Sequence, residues 1–145
     1  MKLVIASDEM LPVVEHLAKR LRERGHEATV LAGAAWAAVA AEAAGKVASG
    51  EFDQGIVCCW TGTGASIAAN KVRGIRAALC TDAPTAAGAR KWNDANVLAL
   101  SLRLLSEAVA TEILDAWLDT AYEGTESESL ERLTREESGL SSPSS

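Results

Sequence analysis

A single α/β domain, with helices on both faces of a five-stranded parallel sheet, is predicted by three features of the sequence. Five short apolar runs alternate with five helix-patterned segments, the central run is too apolar for a strand with one wet face, and it ends in a glycine-rich turn that opens a helix. Parallel strands need crossover connections, which the helical segments supply, giving three layers. The chain of 145 residues, 48% hydrophobic, is long enough for one core and too short for two.

The elements follow in order. Lys2 to Ala6 (KLVIA) reads as the first strand, and Ser7, Asp8 and Glu9 follow where it hands over to a helix. Asp8 there is either a helix cap or, because ligands of open α/β sheets bind outside the carboxyl ends of the strands, a site residue. Pro12 to Arg24 is an amphipathic helix: Val13, Val14, Leu17 and Leu21 lie inside, Glu15, Lys19, Arg20 and Glu23 outside, and Gly25 ends it. Its His16, and His26 just beyond it, carry no motif and read as surface residues. Glu27 to Ala32 is the second strand, and the alanine-rich run Ala34 to Ser49 is a helix by propensity. Gly55 to Cys59 is the central strand, and Ala65 to Asn70 the helix after its turn. Ile75 to Cys80 forms the fourth strand, with Thr81, Asp82 and Pro84 starting a helix that runs through Trp92. Val97 to Leu100 is the fifth strand, and Ser106 caps a last helix of about 16 residues with Val109, Ile113, Leu114 and Trp117 as its inner stripe. Residues 1–124 thus read as the domain, and 125–145 as a polar, acidic tail whose end, SGLSSPSS, is expected to be disordered.

A net charge of -6 and a pI near 4.9, without a basic patch, argue against nucleic acid or an anionic membrane as partner. Too few apolar residues precede Asp8 for a secretory segment, and no long uncharged apolar stretch occurs, so a cytoplasmic protein is expected. Cys58, Cys59 and Cys80 make an odd count without zinc-type spacing and read as free thiols. Cys58 and Cys59, adjacent on a strand, point to opposite faces, so only one can serve a site at its end.

The stretch WTGTGA after Cys59 is the chemically informative one. Unpaired N–H groups at such a helix start can hold an anion or an oxygen that becomes negative during a reaction. The glycines could equally serve only a tight connection, with the cysteine a small buried apolar residue. Gly62 and Gly64 are followed neither by the Gly-Lys-Ser/Thr of a Walker A loop nor by the third glycine of a dinucleotide fingerprint, since Ile67 stands there.

The run CWTGTGASIAANKVRGIRAALCTD, followed by ARKWNDANVLALSLR, resembles the ribose-5-phosphate isomerase B / galactose-6-phosphate isomerase family, over Met1 to about Gly124. The resemblance implies a Rossmann-like fold and a homodimer, or a dimer of such dimers, with active sites between subunits. It also implies aldose–ketose interconversion through an enediolate on a small sugar-like substrate, with no metal or cofactor. Cys59 matches the family cysteine that moves a proton between C1 and C2, and the backbone of Thr61, Gly62, Thr63, Gly64 and Ala65 matches the loop that stabilises the enediolate oxygen. A thiol near a helix N-terminus can act as such a base. Asp8 matches an aspartate on the sugar hydroxyls, Asn93 an asparagine beside the enediolate, and Arg103 an arginine near the phosphate.

Departures bear on the substrate. Glu9 and Trp92 stand where the family has histidines, the second of which opens the sugar ring. The usual Tyr-Pro pair before the second helix is replaced by the alanine run, and the Gly-Arg-His and further arginines that grip the phosphate by Thr125, Glu126, Ser127, Glu128 and Ser129. Arg132 and Arg135 would substitute only if the tail curls back. The expectation is an isomerase with Cys59, Thr61 and Asp8 as catalytic residues, acting on a sugar other than ribose 5-phosphate, with Trp60 and Trp92 as an aromatic wall and Glu9 at the rim. The alternatives are a non-catalytic subunit working beside a related chain, as in the two-chain galactose-6-phosphate isomerase, or a sugar-binding module.

Overall fold

A computed structural model describes residues 1–139. Its order is β1 (Lys2–Ser7), α1 (Pro12–Glu23), β2 (Glu27–Ala32), α2 (Trp36–Ala48), β3 (Gln54–Cys59), α3 (Thr63–Asn70), β4 (Ala77–Leu79), α4 (Ala83–Asn93), β5 (Val97–Ser101), α5 (Glu107–Leu118) and α6 (Ser127–Ser138). All strand pairs are parallel, in the order β2-β1-β3-β5-β4. The fold is the expected Rossmann-like three-layer one, since apolar strands buried on both faces need a helical layer on each side.

Side-chain alternation divides the core in two. Leu3, Ile5, Cys58, Leu98 and Leu100 face the layer containing α1 and α5, whereas Val4, Ala6, Val57, Cys59, Val97 and Ala99 face α2 and α3. The two neighbouring cysteines therefore part to opposite faces, as their positions on a strand require. Helix α1 is fastened to α5 by Arg20 and Arg24, which pair with Asp115, and by Arg24 with Asp119. The Arg20 hydrogen bond, above all, holds the Asp115 carboxyl below its ordinary range.

Three expectations are corrected. Asp8 caps nothing: α1 begins at Pro12 with Leu11 as its N-cap residue and no side-chain capping bond, while Asp82 does cap α4 by accepting from the Thr85 N–H at 2.8 Å. Helix α5 has 12 residues rather than about 16, and of the expected stripe Ile113, Leu114 and Trp117 are buried while Val109 is only partly so, Ala110 being buried in addition. There are six helices rather than five, because Ser127–Ser138 forms α6, an i,i+4 ion pair from Arg132 to Glu136 supporting a segment whose composition suggests only a polar tail. It lies beside β4, where Glu137 accepts from the Gly74 N–H at 2.8 Å. Of the end expected to be disordered, SGLSSPSS, Ser138 is the last residue of α6 and Gly139 its C-cap, and residues 140–145 lie outside the described residues. No helix among the described residues is long and apolar enough to cross a membrane.

Candidate active site

In this strand order the chain leaves β1 for β2 on one side and returns through β3 on the other, and a crevice opens at the carboxyl ends of β1 and β3 where the winding reverses. Register fixes what stands there. Ser7 pairs with Cys58 and Cys59 with Ser101, so Asp8, Cys59 and the turn after it share one rim. A cavity of about 260 Å³ lies there, lined by Asp8, Trp36, Cys59, Trp60, Thr61, Thr63 and Gly64.

Each wall has a local cause. Ser7, fully buried, donates to the Glu9 carbonyl at 2.6 Å and so shapes the turn that carries Asp8. One Asp8 carboxylate oxygen is buried and makes no hydrogen bond within the described residues, an acceptor free for a ligand hydroxyl. Ser101, also buried, donates to the Trp60 carbonyl at 3.1 Å, and the N–H groups of Leu102 and Arg103 bond to the carbonyls of Cys59 and Trp60. The β5 end thereby pins the turn from below. Gly62, at φ +77°, is the N-cap residue of α3; a Cβ there would stand 2.6 Å from Leu79 Cδ1 and 2.8 Å from the Leu100 carbonyl carbon. Only glycine allows the helix to start so close to the sheet. The first closed turn of α3 runs from the Ser66 N–H to the Gly62 carbonyl, which leaves the N–H groups of Thr63, Gly64 and Ala65 without an intrahelical partner. The hydroxyls of Thr61 and Thr63 lie 2.7 Å apart.

Among the thiols only Cys59 lines this cavity. Burial pushes the Cys58 thiol up to about 12, with Cys59 and Asp8 adding to the rise, and pushes Cys80 up to about 11. Neither can furnish thiolate near neutral pH.

The structure brings together Asp8, Cys59, Trp60, Thr61, Thr63 and Gly64, with Gly62 and Ala65 as their backbone support. Arg103 stands at the carboxyl end of β5 with its side chain exposed, and Glu9 is exposed on the β1 turn; neither lines the cavity. Trp92 and Asn93 lie elsewhere within the chain. Helix α4 starts at the carboxyl edge and runs back, so its end is at the amino edge, where Asn93 lines a groove with Gly74, Arg76, Leu133 and Glu137. An 11-residue helix spans roughly 16 Å, too far for these side chains to reach Cys59 of their own chain. Trp92 lies instead on Gly88, one turn back. The Arg132 guanidinium is turned into its ion pair with Glu136. Trp36 is the wall residue the sequence reading missed; an aromatic in an alanine run at the carboxyl edge of β2 is the one signal that points to it. Among the described residues no group of three or more His, Cys, Asp or Glu side chains is arranged to hold a metal ion.

A thiol, an unpaired carboxylate oxygen and the first N–H groups of a helix meet in one small pocket at the carboxyl edge of an α/β sheet, where proteins of this architecture bind their ligands. The profile of the Ribose/Galactose Isomerase family matches residues 3–134. Ribose-5-phosphate isomerase B of Escherichia coli is 40% identical over 131 residues, 85% of this chain and 87% of that one. A D-erythrulose-4-phosphate isomerase of Pectobacterium atrosepticum is 48% identical over 86 residues, 59% of this chain and 57% of that one. The structure of ribose-5-phosphate isomerase B of Clostridium thermocellum superposes with a TM-score of 0.92 at 38% identity, covering 97% of this chain and 100% of that one. The chain belongs to the ribose/galactose isomerase family and is a sugar or sugar-phosphate isomerase.

Proposed function

We propose that this chain interconverts an aldose and a ketose by moving one proton between adjacent carbons, with Cys59 as the base, on a small sugar other than ribose 5-phosphate. The observation that carries the reading is the meeting of Cys59, Asp8 and the Thr61–Gly64 turn in one cavity at the β1/β3 switch point. The Cys59 thiolate takes the proton from C2 of the aldose, the electron pair moves onto the carbonyl oxygen, and the thiol returns the proton to C1, while a proton passes between O1 and O2. In this reading Thr61, which lines the cavity, stands beside those oxygens, and the N–H groups of the turn stabilise the enediolate charge. Asp8 accepts from a sugar hydroxyl through its unpaired oxygen.

The chain's departures from its family bear on the substrate. The indole of Trp92 cannot pass a proton near neutral pH as the family imidazole does when it opens a furanose. Glu126 and Glu128 stand where the family grips the phosphate with cations. If each charge-assisted hydrogen bond to phosphate contributes about 1.5–3 kcal/mol, losing two or three weakens binding by roughly 10²–10⁶. A coupled assay for ribulose 5-phosphate should therefore give turnover at least about 10²-fold below that of ordinary sugar-phosphate isomerases. Comparable turnover at millimolar substrate or below would show that the phosphate grip has been restored. Ribose 5-phosphate, D-erythrulose 4-phosphate and galactose 6-phosphate, each with and without its phosphate, make the panel in which to find the better substrate.

A homodimer with shared sites completes the proposal, because α4 delivers Trp92 and Asn93 to the opposite end of the sheet from Cys59. A two-fold pair that sets the amino edge of one chain against the carboxyl edge of the other would bring these residues to its partner's Cys59, twice over by symmetry. Cys59→Ala and Asn93→Ala chains, each inactive alone, should on mixing recover about a quarter of wild-type activity, since half the dimers are mixed and carry one intact site of two. No recovery in mixed dimers would place each site within one chain.

A further inference from the structure

Trp36 is the first residue of α2, and its indole crosses to α3 instead of entering the core, which α2 reaches through Val39, Ala40, Ala43, Ala44 and Val47. The ring lies on the bare Cα of Gly64: a methyl group there would stand 2.8 Å from Cζ3, 3.0 Å from Cε3 and 3.1 Å from Cη2. Even so, 46% of the residue remains exposed, as does 55% of Trp60. Both indoles line the cavity that holds Cys59 and Asp8. A large apolar side chain left half open beside polar and nucleophilic groups in a concave site is the arrangement of a ligand contact.

We propose that Trp36, seated on Gly64, is a specificity-determining residue of this site: a flat aromatic wall against which the C–H face of the substrate's carbon chain packs, beyond the two carbons that exchange the proton. This rests on the isomerase reading above. The indole face carries the negative part of the ring quadrupole and attracts the slightly positive C–H groups of a sugar, while contributing little to the chemistry at C1 and C2. Its contribution is thus to holding the substrate in ground state and transition state alike, and it selects by chain length and by which face of the chain is free of hydroxyls. Gly64 is the other half of the device, because only a residue without a side chain lets the ring lie so low. Trp60 closes a second side of the cavity.

Steady-state kinetics with D-erythrulose 4-phosphate, ribose 5-phosphate and galactose 6-phosphate, each with and without its phosphate, test the proposal. For the best of these, Trp36→Ala should raise KM about tenfold, the equivalent of about 1.4 kcal/mol, and change kcat less than about threefold. Trp36→Phe should restore most of the loss, since it returns a ring and not the indole N–H. Gly64→Ala should push the ring away and also raise KM, and the double variant should be no worse than the worse single one, as expected of two groups acting through one contact. An unchanged KM in Trp36→Ala, a loss confined to kcat, or additive effects would overturn the wall. If Trp36→Ala behaves as wild type while Cys59→Ala is inactive, the wall falls and the isomerase reading stands. Should none of the six sugars be turned over by the wild-type enzyme, both fall together.

Discussion

Cys59→Ala is expected to lower kcat by at least about 10²–10⁴-fold, the share of rate that a positioned acid–base group ordinarily supplies, with the fold intact. Cys59 is 6% exposed, lines the cavity beside Asp8, and packs through a small apolar contact surface that alanine largely reproduces. The neighbouring thiols sharpen the test. Burial holds Cys58 near 12 and Cys80 near 11, so at neutral pH both are protonated and slow toward alkylating reagents, which attack thiolate. Iodoacetamide should therefore modify Cys59 first and abolish activity in step, whereas Cys58→Ala should leave turnover near wild type. Mass spectrometry of the alkylated chain checks the order, and early labelling of Cys58 or Cys80 without labelling of Cys59 would remove the base from this account.

Gly62→Ala should destabilise the fold by roughly 2–5 kcal/mol, by two mechanisms acting together. A non-glycine residue at φ +77° costs about 1–2 kcal/mol. The added methyl would also stand 2.8 Å and 2.9 Å from the Leu100 carbonyl group, backbone that cannot step aside, which adds about 1–3 kcal/mol of overpacking. Gly25→Ala is the control, since Gly25 has φ +85° and nothing within 4 Å of an added methyl. Thermal melts of both variants separate the two costs. Gly25→Ala should lose a few degrees and Gly62→Ala several more, at roughly 2–4 °C per kcal/mol for a chain of this size. Equal losses would mean that the close approach of the α3 turn to β5 is not what requires glycine.

The strand, turn and helix that carry Cys59 are legible in the sequence because their signals are local. An apolar run ending in adjacent cysteines sends the two thiols to opposite layers, and glycines at 62 and 64 mark a turn without naming its partners. Asp8 is legible for a topological reason, as a polar residue at the end of a strand beside the switch point. What the sequence hides is what depends on direction and packing. Asn93 and Trp92 read as neighbours of Cys59 in the resemblance, yet α4 runs from the carboxyl to the amino edge and carries them away within the chain. Trp36 is hidden because an alanine run has no apolar period to break, and its role comes from the crossing of α2 over Gly64 on α3. Helix α6 is hidden by composition: Leu130 and Leu133 are its only aliphatic side chains, and the acidic and serine residues around them resemble a solvated tail. Ser7 and Ser101 are ordinary strand-end serines in sequence, and only the register shows them fastening the Asp8 and Trp60 turns.

The most direct test of the central claim is solvent hydrogen exchange at the reacting carbons. Each of the six sugars is incubated with the enzyme in D2O and followed by proton NMR. With wild-type protein one of them should acquire deuterium at the carbon next to the carbonyl, and Cys59→Ala should incorporate none above background. Exchange that persists in Cys59→Ala would contradict the assignment of the thiol as the base.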